Sequence, residues 1–505
     1  MLVYDKSVIL KMLPDSNQNE FQVVIRTKNG STLAQTATVT REITSYIAGV
    51  SEVDNYVAYV GIPAPINFNG LVRWYDIQKG PNMATVQVDL INKKNREATS
   101  HQLVLQMRGP IDAIASKFGA NVKLVEIPPG PPTLSPIVAE IYGRDWNSDF
   151  AVAQKVKQVF SSTPGVVDVD WMVNDPQQQI NFIANREAQL HGISNQTVAQ
   201  TIDVLISGSP VGLLHTANTI DPVQIVLDTP RVDRSNIDAL LHTFALPAND
   251  GSMVPLYELV KERVTQADQP IFHENLNRVI YVVANVSGPI DSPIYSMFSM
   301  MGKISKITGD GGKGVPQLLF GLPTIDKNVQ IKWGGEWTIT YEVFRDLGIA
   351  FAIGLIIMYL LMVAWFKSFV TPIVIMASIP ISLIGIIPGH LMLGAFFTAT
   401  SMIGFMAVAG IVVRNSILLV QFTYERLSQG VPLEESLIDA GLVRARPIIL
   451  TAAAVIVSSF VIILDPVFTG MAVSLICGII SSTILTLFLT PVLLHAVERR
   501  KLRHR

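Results

Sequence analysis

Five long apolar segments fill the last third of this chain, and one permanently charged side chain, Arg414, lies inside one of them. Residues 347–366, 369–389, 447–464 and 470–497 contain no Asp, Glu, Lys or Arg, and 396–424 contains Arg414 alone. About 20 such residues, each rising 1.5 Å in a helix, cross a hydrocarbon layer of ~30 Å. The spacing therefore predicts five transmembrane helices. A guanidinium keeps its charge at physiological pH and costs roughly 2.5–3.5 kcal/mol or more at mid-membrane. It persists where an anion faces it inside a bundle, or where it snorkels to the interface.

The rest of the chain has a different texture. Of 505 residues 49% are hydrophobic and only 15% charged, too apolar for one soluble domain. That average conceals a boundary near Trp337, before which the sequence is an ordinary polar mixture. A net charge of −2 excludes a polybasic nucleic-acid binder. The single cysteine, Cys477, allows neither a disulfide framework nor a thiolate zinc site within the chain. The eight histidines show no paired spacing that would build a zinc site, and no P-loop is present. Met297, Met300 and Met301 carry only a weak suggestion of soft-metal binding, since methionine is an ordinary core filler.

Cationic loops set the orientation. Lys367, the stretch with Arg426, Arg444 and Arg446, and the tail with Arg499, Arg500, Lys501, Arg503 and Arg505 alternate with loops 390–395 and 465–469 that have no Lys or Arg. The tail is expected inside and residues 1–340 outside, the periplasm of a Gram-negative cell. Residues 1–20 contain no apolar stretch long enough for a signal peptide or a further span. The chain is therefore expected to be part of something larger, truncated or one half of a split protein.

The external region repeats itself. A strand at Phe21–Arg26, a helix over about 32–47 and the run Gly49-Val-Ser-Glu-Val-Asp54 match a strand at Ile137–Tyr142, a helix over about 147–162 and Gly165-Val-Val-Asp-Val-Asp170. The first copy continues with a strand at 84–91, a helix at 100–118 and a strand at 121–127, ending at the proline-rich 128–132. This is a β-α-β-β-α-β, ferredoxin-like order. The second copy completes itself at 279–286, 291–306 and 328–333, after an α/β insertion whose turn at Asn249-Asp-Gly251 signals a hairpin. The expected class is α+β followed by an all-α membrane part. Its divisions are a lead-in 1–19, a module 20–132, a second module 133–176 with 271–337, the insertion 177–270, a membrane part 338–498 and a basic tail 499–505.

Within the spans the polar inventory is short. Thr398, Thr400, Ser401, Arg414, Asn415 and Ser416 lie on the third, and Thr451, Ser458 and Ser459 on the fourth. If the fourth helix extends back past Pro447, Arg444 and Thr451 share one face. No Asp or Glu lies in any span. Arginine does not release a proton usefully near neutral pH, so a proton-coupled machine needs a carboxylate from another segment. Pro380 and Pro388 are expected to bend the second span, Gly404 and Gly410 to let the third pack closely, and 432–440 to form an amphipathic helix at the inner surface.

Two repeats, an insertion and five spans with a cationic third resemble the C-terminal half of a resistance-nodulation-division efflux permease of the AcrB/AcrD/AcrF type. The resemblance rests on Lys11-Met-Leu-Pro14, Glu20-Phe-Gln-Val-Val24, the run Gly410–Phe422 containing Arg414 and Asn415, Arg444-Ala-Arg-Pro-Ile-Ile-Leu-Thr451 and Thr490-Pro-Val492. It implies a secondary transporter rather than an enzyme: a proton-driven antiporter of the bacterial inner membrane, trimeric, exporting amphipathic small molecules with a periplasmic adaptor and an outer-membrane channel. It further implies a proton relay on Arg414, Asn415, Arg444 and Thr451, facing an N-terminal half that carries the carboxylates. The insertion would be a docking subdomain and no cofactor or metal is implied. Drug pumps carry Lys where this chain has Arg414, which keeps the charge and changes its geometry. The alternatives are a non-functional fragment, a non-transporting scaffold derived from such a pump, a protein- or lipid-transporting relative, and heavy-metal efflux.

Overall fold

The computed structural model of the chain describes residues 5–75, 78–128, 130–131, 133–216, 222–288, 290–309, 312, 314–324 and 328–503. Parts of three expected features lie outside these residues: the first positions of the lead-in, two prolines of 128–132 and the end of the basic tail. The first module runs β1 (Glu20–Arg26), α1 (Leu33–Ile47), β2 (Val53–Val60), α2 (Phe68–Arg73), β3 (Met83–Leu90), α3 (Ser100–Lys117) and β4 (Asn121–Glu126). Its sheet has the order β2-β3-β1-β4, every neighbour antiparallel. Alternate residues of the central strand, Phe21, Val23 and Ile25, meet Val39, Ile43 and Ile47 of α1 and Leu103, Met107 and Ile111 of α3. Period two on the strand and period near four on the helices bring those apolar faces together. Thr32 with Gln35, and Thr99 with Gln102, close capping boxes that fix where α1 and α3 begin.

The second module repeats the order. It contains β5 (Ile137–Tyr142), α4 (Trp146–Ser161), β6 (Val166–Trp171), β7 (Phe272–Glu274), β8 (Asn277–Val286), α5 (Pro293–Ile304), β9 (Gln317–Leu318) and β10 (Gln330–Gly335). The path β6-β8-β5-β10 matches β2-β3-β1-β4 position for position, with the short β7 and β9 added at the margins. Asn174–Pro270 forms a compact unit of its own. In it Gln178–Ala184 pairs with Val260–Gln266, Ser209–Leu214 with Val223–Leu227, and Ala245–Pro247 with Met253–Pro255 across the turn at Asn249–Gly251. The strands at 209–214 and 260–266 have no counterpart in the sequence reading.

Buried charges join the two modules. Asp170 of β6 accepts from Arg26 of β1 and Lys123 of β4, while Asp168 pairs with Arg108 of α3. The β6–β8 ladder slips by a residue between Val283 and Asn285, and Asp168 adopts φ 54° there. This bulge turns its carboxylate toward Arg108. Trp74, just past α2, stacks on Phe272 with ring centres 5.5 Å apart. Burial acts to raise the pKa of Asp170, but the charges of Lys123 and Arg26 outweigh it and hold the carboxyl below its ordinary range.

Gly335 ends the second sheet and Glu336 begins the first long apolar helix, with no linker between them. Gly335 has φ 71°, and a Cβ there would lie 2.6 Å from the Pro136 carbonyl oxygen, so no other residue fits without distortion. Among the described residues, five helices are long and apolar enough to cross a membrane: Glu336–Phe366, Val370–Met392, Ala399–Ser428, Leu433–Ile462 and Thr469–Arg500. The third and fifth pack most intimately, and the first and fourth are largely exposed.

Three expectations for this part change. The segment 432–440 is not a separate surface helix: it is the start of one helix that carries Pro447 inside it and runs to Ile462. The second span breaks at Ala377 and Ser382, flanking Pro380, whereas Pro388 sits inside unbroken helix. Gly404 does permit close approach, since a Cβ there would stand 2.9 Å from the Met471 carbonyl oxygen, but nothing lies within 4 Å of Gly410.

Two predictions follow from this packing. Asp170→Asn leaves Arg26 and Lys123 facing a neutral group and should cost roughly 3–5 kcal/mol in thermal unfolding of the chain in detergent. Because the folded pKa of Asp170 is depressed, its contribution is present above the ordinary value of 3.8 and lost as pH falls through the folded value. Stability of the natural chain should therefore drop more steeply below that pH than stability of Asp170→Asn. In the same assay Gly404→Ala should lower the melting temperature, while Gly410→Ala should be neutral or add up to about 1 kcal/mol of helix propensity.

Candidate functional site

Arg414, Asn415, Arg444 and Thr451 do not form one cluster within this chain. The third helix turns Val412, Val413, Asn415 and Ser416 inward and leaves Arg414 exposed on the outer face of the five-helix layer. Arg414 makes no hydrogen bond or ion pair among the described residues. Arg444 is half-buried on the fourth helix, its guanidinium carbon 5.2 Å from the centre of the Phe422 ring. Thr451 is exposed and donates its hydroxyl hydrogen to the Ile448 carbonyl at 2.9 Å.

Depth follows from the helix rise. The third and fourth helices run antiparallel across the short connection 429–432. Arg444 meets Phe422, and equal steps along each helix lead to Arg414 on one and to Ala452, beside Thr451, on the other. Arg414 and Thr451 therefore lie at about the same level of the membrane. Such an exposed guanidinium costs several kcal/mol in lipid and is strongly held by an anion in a dry interface.

Two groupings escaped the sequence reading. His390, near the C-terminal end of the second span, is fully buried. Its Nδ1 donates to the Ile386 carbonyl at 2.9 Å and its Nε2 accepts from Ser401 at 3.0 Å. The hydroxyls continue through Thr398 and Thr400 to the Val467 carbonyl. His390 stood one residue past the predicted end of that span, where it read as loop.

The second grouping is assembled from remote positions. Lys11 lies in a lead-in segment tied on several sides: its amide donates to the Phe397 carbonyl, the Leu10 carbonyl accepts from Ser292, and the Ser16 hydroxyl donates to the Ile127 carbonyl. Its ammonium reaches Asp15 at 2.7 Å and Asp291 at 2.6 Å. His101 of α3 stands beside them, 2.7 Å from Glu126 through Nδ1 and 3.5 Å from Asp291 through Nε2. These residues line a cavity of about 80 Å³ reached by both modules. Drug-sized sites occupy roughly 300–1,000 Å³, so this one is well below drug size.

The charges hold one another in place. Burial opposes the Lys11 ammonium, but Asp15 and Asp291 outweigh it and shift its pKa upward. Burial likewise opposes ionisation of Asp15, yet the Lys11 charge keeps that carboxyl low. Asp291 is pushed up to about 6, by burial first and by the neighbouring Asp15 charge. His101 loses from burial but gains more from Glu126, Asp15 and Asp291, and rises to about 9.

The comparisons with known proteins agree with one another. Residues 6–498 match the AcrB/AcrD/AcrF family. The chain is 26% identical over 380 residues to the nickel and cobalt resistance protein CnrA of Cupriavidus metallidurans, covering 73% of this chain and 33% of that protein. It is 23% identical over 510 residues to the cobalt-zinc-cadmium resistance protein CzcA of the same organism, covering 97% and 45%. With the multidrug resistance protein MdtC of Citrobacter koseri it shares 21% over 461 residues, covering 87% and 41%. The crystal structure of a heavy metal efflux pump superposes with a TM-score of 0.78 at 19% identity, covering 98% of this chain and 49% of that one. The chain thus spans half or less of the length of these relatives. On the match of residues 6–498, this chain belongs to the AcrB/AcrD/AcrF family of resistance-nodulation-division permeases.

Proposed function

We propose that the chain is one part of a proton-driven efflux permease that exports amphipathic small molecules. The observation that carries this reading is Arg414: a charge on the open face of the membrane layer, level with Thr451, where a carboxylate from the remainder of the permease would meet it. Protonation of that carboxylate breaks the ion pair, and the helices repack. Arg444 and Thr451 flank the same interface, and Asn415 supports the third helix from its inward side.

On this reading the two modules, whose shared strand order is that of ferredoxin-like folds, are porter subdomains. Residues 174–270 dock toward a periplasmic adaptor and an outer-membrane channel, and the assembly is a homotrimer in the inner membrane. Residues 1–340 are periplasmic and the C-terminus cytoplasmic, as the loop charges support. Export of divalent metals is the second reading, favoured by the resistance proteins named CnrA and CzcA among the relatives. Lys11 weighs against it, because it already neutralises the acidic cavity.

The test is efflux by the complete permease containing this chain, at matched amounts in the membrane. Arg414→Ala should abolish export without reducing assembly, and Arg414→Lys should retain part of it, since the charge remains while the planar fork is lost. Thr451→Ala should cost about 1 kcal/mol, roughly a five-fold fall in rate. Wild-type export by Arg414→Ala would overturn the proposal.

A further inference from the structure

Asp15, His101 and Asp291 come from the lead-in, from α3 and from the loop before α5, yet one ligand atom of each lies within 4.8 Å of the other two. Two carboxylate oxygens and an imidazole nitrogen are a donor set that suits zinc or cobalt. Around a tetrahedral ion with bonds of about 2.0–2.2 Å, ligand atoms stand about 3.4 Å apart, so rotamer-scale adjustments would complete the site. The cavity of about 80 Å³ beside it has room for an ion with its waters. The Lys11 ammonium already bridges the two carboxylates, 2.7 and 2.6 Å from them.

We propose that Lys11 is a built-in cation filling a divalent-metal site, and that it is the residue that closes this cavity to zinc- and cobalt-like ions. Three features hold it there. The residue is 5% exposed, its backbone is tied to Phe397, and its ammonium lies 5.5 Å from the centre of the Phe396 ring. An incoming divalent ion must displace a tethered charge that loses two ion pairs on leaving. It cannot bind alongside, because a divalent and a monovalent cation at ion-pair distance repel strongly in a partly dry cavity. Loss of the Lys11 charge leaves the two carboxylates converging with His101, which gives up its imidazolium proton as a metal ion binds. The consequence for substrate choice rests on the efflux reading above, but the binding does not.

The experiment uses the full chain purified in detergent, with Co²⁺ as the probe and its visible absorption as the coordination signal. Lys11→Met keeps most of the apolar stem and removes the charge. It should bind one Co²⁺ at least about ten-fold more tightly than the natural chain, and adding His101→Ala to Lys11→Met should abolish the gain. Should Lys11→Met be unstable, Co²⁺ should restore its melting transition, because a ligand that binds only the folded state stabilises it. Three results would each overturn the proposal: equal Co²⁺ affinity in Lys11→Met and the natural chain, binding by Lys11→Met that is indifferent to His101→Ala, or an unstable Lys11→Met that Co²⁺ does not rescue. Because no transport is measured, failure here leaves the efflux reading standing, and failure of efflux leaves the site standing.

Discussion

Hydrocarbon tolerates no unpaired charge cheaply, and the membrane part of this chain is arranged around that constraint. Its inner faces meet through small side chains: Gly404 lies against Met471 and Ser474, and Gly389 against Cys477. Close contact of that kind makes the third and fifth helices a stable pair without any charge between them. The charge stands on the opposite face. Asn415 and Ser416 turn inward while Arg414 turns out, so the layer has one face finished by packing and one that calls for an anion. A layer with that asymmetry suits a machine in which the ion pair is made and broken while the packed face stays intact.

Motion at that face has short routes to the modules. The second sheet passes straight into the first membrane helix at Gly335, and the Glu336 amide donates to the Pro136 carbonyl at 3.0 Å. A second route is the lead-in, which pairs with Phe397 between the second and third spans and bonds Ser292 and Tyr295 of the second module. The first route is continuous backbone, and the second reaches the second module through the side-chain hydroxyls of Ser292 and Tyr295. Buried ion pairs such as those of Asp170 and Asp168 then fix how the modules meet, since any separation exposes charges to rearrangement.

Much of this was legible in the sequence because it depends on local pattern. Apolar length gave the spans, and the repeated Gly-Val-x-x-Val-Asp run located β2 and β6 in equivalent places. Periodicity gave β1, α1, α3, β5 and α4 to within a residue or two. The fourth helix was cut at Pro447, because proline is a reliable breaker only where the preceding turn has no tertiary support. Strand 260–266 was missed because its partner, 178–184, is remote, whereas 209–214 pairs with the nearby 223–227 and no turn motif announced it. Arg414 was legible as a charge but not as a direction: a helix with few polar residues has no stripe that says which side faces its neighbours. Lys11, Asp15, His101 and Asp291 were invisible as a group, since nothing in their spacing anticipates that the lead-in, α3 and the loop before α5 converge.

The proposed coupling of export to proton movement acts across the face bearing Arg414. The most direct measurement imposes a pH gradient across proteoliposomes holding the complete permease and follows its decay with a trapped dye. Substrate on the cytoplasmic side should speed the collapse, because each exported molecule is exchanged for protons. A decay rate indifferent to substrate, in vesicles where the substrate still moves, would contradict it.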